Sequence, residues 1–128
     1  MERITHDPAD GVYATDGDWA HAVELRGPGR LVFVSGTMGL DADGVPGETL
    51  AQQLDLVWSN IRRILASAGM TTDDVVRVTS YLRDASYAEA NARARVAVLG
   101  GRAVPTTAVV VETLDPGWLI EIEVIAAA

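Results

Sequence analysis

From Leu50 to Ala68 the apolar residues Leu50, Leu54, Val57, Ile61, Ile64, Leu65 and Ala68 recur at steps of three and four, the spacing that lines one face of an α-helix. Such a helix hides one stripe and must find a second layer to bury it against. Thr49 followed by Gln52 has the pattern of a capping box, and Gly69 stands where a left-handed residue ends a helix. The sequence on both sides is written in a different period. Val75 to Leu82 is rich in β-branched residues, and in Ile120-Glu121-Ile122-Glu123-Val124 apolar and acidic residues alternate strictly, as successive side chains do across a sheet.

The remaining segments fill in the order. Val23 to Arg26 and Leu31 to Val34 flank Gly27-Pro28-Gly29 and predict a hairpin. Gly36 to Gly47 reads as a loop, and Ser86 with Glu89 predicts a second capping box, opening a helix that Gly100-Gly101 stops. Strands over Thr106 to Thr113 and Trp118 to Ile125 are divided by the turn signal Pro116-Gly117. The expected order is ββαβαββ, an α+β domain with both helices on one face of a mixed sheet. At 128 residues the chain reads as one domain spanning residues 1–128.

Composition narrows the chemistry. There is no Cys and no Lys, which removes thiolate, disulfide and Schiff-base mechanisms. Ten Arg against eighteen acidic residues give a formal charge of −8, so a phosphate backbone is repelled and no nucleic-acid partner is expected. The apolar runs are too short to span a bilayer, and Met1 to Asp7 lacks a signal-type apolar region, which predicts a cytoplasmic protein without a membrane partner. Neither His6 nor His21 has acidic residues at metal-ligand spacing, and no metal is expected.

In the last strand Ile120, Ile122 and Val124 must face the helices, which turns Glu121 and Glu123 the other way. Val109, Val111 and Ile125 fall on or beside that second face, and the middle strand reads as apolar on both sides. Two helices cover one face only. The other calls for a neighbouring copy, and closed symmetric association is the economical way to supply it.

Leu31-Val32-Phe33-Val34-Ser35-Gly36, the helix Gln52 to Gly69, Asp74 to Thr79, Asn91, and Val104-Pro105 leading to Ile120 through Ala126 stand in an order and spacing that resembles the Rid family, also called the YjgF family. The resemblance covers residues 19 to 126. It implies a chorismate-mutase-like fold, a homotrimer, clefts at the subunit interfaces, and hydrolysis of reactive imine or enamine intermediates to a 2-oxo acid and ammonia without a cofactor. It also implies a catalytic role for Glu121, which would orient or activate water, and substrate-binding roles for Ser35, Gly36 and Asn91.

This sequence departs from the family pattern in three places. Thr107 stands where an arginine clasps the substrate carboxylate, Trp19 replaces a tyrosine, and Thr37 follows Ser35-Gly36 where glutamine is common. Because a neutral hydroxyl cannot match a bidentate guanidinium, the substitution predicts a ligand that is larger, flatter or uncharged rather than an ordinary 2-imino acid. Trp19 and Thr107 are carried as substrate-binding positions, Val109 as a further candidate, and Arg102 as a possible substitute for the missing charge. Each has a plainer reading: Glu121 as an interface ion-pair partner, Thr107 as a strand former, Trp19 as a packed interface residue, Arg102 as a solvated loop cation. The expectation is an enzyme of Rid type, the alternative a non-catalytic small-molecule-binding or regulatory trimer of the same fold.

Overall fold

The computed structural model describes all 128 residues, Met1–Ala128. Six strands and two α-helices follow one another as β1 (Glu2–His6), β2 (Ala22–Arg26), β3 (Leu31–Met38), α1 (Leu50–Ser67), β4 (Val75–Leu82), α2 (Ala88–Val98), β5 (Thr106–Val110) and β6 (Ile120–Ala127). The main sheet has the order β3-β6-β4-β5, with β4 and β5 parallel and the other pairs antiparallel. The expected α+β class with a mixed sheet therefore holds, with one strand added at the N-terminus.

That added strand overturns the expected hairpin. β2 pairs with β1 in a separate two-stranded ribbon, while β3 takes β6 as its partner. The end of β6 occupies the groups a β2–β3 turn would have used: the Gly29 and Arg30 N–H groups both donate to the Ala128 carbonyl at 2.9 Å. Apolar β6 offers β3 a buried ladder, which outweighs the local turn preference of Gly27-Pro28-Gly29. β1 escapes sequence reading because Ile4 is its only large apolar residue.

Helix α1 begins as expected. The Thr49 hydroxyl accepts from the Gln52 N–H at 3.1 Å and the Gln52 side chain accepts from the Thr49 N–H. Helix α2 begins differently. The Asp84 carboxylate accepts from the Ser86 N–H at 2.8 Å and opens a 3-10 turn at Ala85–Tyr87, so α2 starts at Ala88 without a side-chain cap. Glu89, freed from the predicted box, pairs instead with Arg93 one turn on at 2.8 Å.

The core lies between the helices and one face of the sheet. Leu54, Val57, Trp58, Ile61 and Leu65 of α1 meet Val78, Leu82, Ile120, Ile122 and Val124. Buried Gln53 locks two loops to this layer: its amide nitrogen donates to the Gly47 and Gly117 carbonyls at 2.8 Å, and its oxygen accepts from the Leu119 N–H at 2.9 Å. That clamp fixes where β6 enters the sheet.

Candidate functional site on the open sheet face

Beyond a register break between Val75 and Arg77, the period of two sorts β4 and β6. Val78, Ser80 and Leu82 are buried toward the helices, while Arg77, Thr79 and Tyr81 are half-buried on the opposite face. On β6 the buried set is Ile120, Ile122 and Val124, and Glu121, Glu123 and Ile125 alternate with them. Thr107 lies opposite Thr79 and Val109 opposite Tyr81, which brings both onto the open face with the two glutamates. The expectation that the middle strand is apolar on both sides is thereby corrected: its outward residues are a guanidinium, an alcohol and a phenol.

The position of Thr107 is not left uncharged. Arg77 Nη2 donates to Thr107 Oγ1 at 2.8 Å, so the neighbouring strand brings a guanidinium to the place where the sequence shows only a hydroxyl. Arg77 takes part in none of the four ion pairs of the molecule. Arg77 lines a basin of about 180 Å³ together with Phe33, Thr79, Glu123 and Ile125.

Two carboxylates continue the polar line along β6. The Tyr81 hydroxyl donates to Glu123 Oε1 at 2.6 Å. This bond, then burial and the negative charges of Glu123 and Glu121, hold the Tyr81 phenol above its ordinary pKa, against a smaller opposing pull from Arg77. Glu121 faces β3 across a bulge between Val34 and Thr37. Gly36 in that bulge makes room for it, because a Cβ there would meet Glu121 Oε1 at 2.6 Å. Ser35 and Gly36 also line a shallow groove that runs to Asn60 and Arg63 of α1.

The other predicted positions lie elsewhere within one chain. Trp19 borders a cleft with Asp18, Arg95, Thr106 and Ala108, and Thr106 and Ala108 sit on the pleat of β5 that alternates with Thr107. The Trp19 ring packs edge-on against His21 at 5.0 Å. Asn91 is buried on α2 with its Oδ1 unpaired. Arg102 does not reach Thr107: Arg102 Nη2 donates to the Thr72 carbonyl at 2.8 Å, and both terminal nitrogens approach the Val75 carbonyl at 3.3 Å. Sequence reading passed over Arg77 and Tyr81, although Val78 and Leu82 as inward residues would have turned both toward the glutamates. No three His, Asp or Glu side chains converge to hold a metal ion.

A mixed sheet with helices on one side and ionisable groups on the other is the architecture of a chorismate-mutase-like α+β domain. The chain belongs to the Rid/YjgF family. A family profile described as Endoribonuclease L-PSP matches residues 12–128. The RutC family protein YjgH of Escherichia coli (strain K12) is 37% identical over 84 residues, a stretch covering 66% of this chain and 63% of that protein. The RutC family protein PYRAB12510 of Pyrococcus abyssi is 33% identical over 114 residues, 86% of each chain. Among solved structures, a conserved Rid family protein, YyfB of Yersinia pestis, superposes with a TM-score of 0.83 at 29% identity over the full length of both chains.

Proposed function

We propose that this protein hydrolyses a small reactive imine or enamine carrying an anionic group, without a cofactor, in clefts that neighbouring copies complete in a cytoplasmic homotrimer. One observation carries the reading: an unpaired guanidinium, Arg77, and a carboxylate, Glu121, occupy the same open face of the sheet. The chemistry is the one the family resemblance implies, and the relocated arginine brings an anionic substrate back within reach.

In this reading Arg77 and Thr107 hold the anion while Glu121 takes a proton from water as the oxygen adds to the imine carbon and the C=N electron pair moves to nitrogen, which picks up a proton from solvent. Glu121 passes its proton to the amine nitrogen of the resulting carbinolamine, the C–N bond breaks as the hydroxyl proton is lost to water, and the products are a carbonyl compound and ammonia. The Tyr81–Glu123 pair stands between the anion subsite and Glu121 and keeps Glu123 oriented. Four arguments support assembly: the exposed aromatic Phe33 on the open face, 71% accessible in the single chain, the exposed Val109 on the opposite edge strand of the same face, the edge strands β3 and β5 with no outer partner, and the family resemblance.

The test is turnover of 2-iminobutanoate, generated in place by an amino-acid oxidase. Glu121→Gln is expected to lower the rate by about 100-fold or more without altering the assembly state. An unchanged rate removes Glu121 from the chemistry, and no turnover in the wild type favours a non-catalytic binding trimer. Ribonuclease action, suggested by the profile's description, finds little support in a chain of charge −8 with no Lys.

A further inference from the structure

A second cavity of about 280 Å³ lies between the β1–β2 ribbon and the start of β4. Its lining combines Val23, Val76 and Val104 with two arginines, Arg3 and Arg102. It shares no residue with the basin at Arg77. Val76 at this cavity and Arg77 at the basin are neighbours along β4, yet the two spaces are lined by different residues.

The two guanidiniums are held only by backbone oxygens. Arg3 Nη2 donates to the Asp73 carbonyl at 3.0 Å, and Arg102 donates to the Thr72 and Val75 carbonyls. Neither enters any of the four ion pairs, in a chain with eighteen carboxylates. Arg102 Nε is buried without a hydrogen-bond partner, a costly condition for a donor on a charged group. Burial first, and the nearby charge of Arg3 second, work against the protonated state of Arg102, while Asp73 and Asp74 oppose them more weakly. An anion between the two arginines would offset their mutual repulsion and the cost of burying the Arg102 charge, and the valines beside it suit a hydrocarbon portion rather than a hydrated inorganic ion.

We infer that this cavity is a binding site for a small organic carboxylate, with its apolar part against Val23, Val76 and Val104 and its charge between Arg3 and Arg102. The site is separate from the proposed catalytic face and stands whether or not that face turns over an imine.

The test titrates the full-length protein with hexanoate, with hexanol and inorganic phosphate as comparators, while amide resonances of Thr5, Ala103 and Val104 are followed by NMR. Hexanoate is expected to shift these resonances saturably, and each comparator to bind at least about tenfold more weakly. Arg3→Gln, at an exposed position, is expected to weaken hexanoate by about tenfold, and Val23→Trp, which fills the cavity and leaves both arginines, to abolish binding. Hexanol binding as tightly as hexanoate overturns the role of the arginines, and phosphate doing so reduces the site to a cationic patch. Shifts confined to the open sheet face, or Arg3→Gln binding hexanoate with unchanged affinity, overturn the proposal altogether.

Discussion

Arg77 shows how a neighbouring strand can bring a charge to a position where the local sequence offers only a hydroxyl. Thr107 alone offers a neutral hydroxyl; with Arg77 Nη2 at 2.8 Å the same spot carries a full positive charge. Charge-assisted hydrogen bonds contribute about 1.5–3 kcal/mol against about 1 for neutral ones, so in the proposed reading Arg77 supplies most of the hold on an anionic ligand. Beside it, Tyr81 gives the face a pH signature. Its phenol keeps its proton more tightly in the folded chain than in the unfolded one, chiefly through the bond to Glu123. The resulting stability is complete below the ordinary phenol pKa and is lost as pH rises through the higher folded-state value. Ultraviolet titration of phenolate should therefore show one tyrosine ionising later than the others, and Tyr81→Phe should remove that late step. A titration curve unchanged by the substitution would contradict the assignment.

At the scale of elements, legibility followed the strength of the hydrophobic period. Helix α1 was readable because its apolar spacing and a capping box agree with one another, although of the seven predicted face residues only Leu54, Val57, Ile61 and Leu65 are buried, Ile64 is exposed, and Trp58 joins the buried set. The alternation in β6 announced which residues face the helices and which stay open, and with it the placement of Glu121. The β1–β2 ribbon was not readable, since β1 has too few apolar residues for a pattern and β3 chose a partner ninety residues away over its neighbour in sequence. The start of α2 was misread because Asp84 competes with Ser86 for the same role, and both are good caps. Arg77 was overlooked for a related reason: a strand rich in valine draws attention to its buried face. One packing detail also follows from the elements. Gly39 runs so close to α1 that a Cβ would lie 2.6 Å from the Gln53 Cα, which is backbone and cannot swing aside. Gly39→Ala should lower unfolding stability by about 1–3 kcal/mol in a denaturant titration, and a loss below a few tenths would show that the loop yields freely.

The whole molecule is a two-layer domain, helices over one face of the main sheet, whose other face is uncovered in the single chain. Helices seal one face of the main sheet, and the other presents Phe33, Ile125 and Val109 around its charged groups. A lone chain would leave this mixed face in water, whereas a ring of copies would enclose it and exclude water from Arg77 and Glu121, strengthening both. Sedimentation should accordingly give about three times the 13.6 kDa chain mass at micromolar concentration, and Phe33→Glu should shift the population toward single chains. A wild-type protein that sediments as a monomer would contradict the enclosed face.

The claim on which the rest turns is that Arg77 holds an anion for chemistry at Glu121. Crystals of the assembled protein soaked with 2-oxobutyrate, a product of the proposed reaction, test it most directly. The account predicts the carboxylate within hydrogen-bonding distance of the Arg77 guanidinium and Thr107 Oγ1, with the 2-oxo carbon turned toward Glu121. A carboxylate bound away from Arg77, or held there with its carbonyl facing away from Glu121, would contradict it.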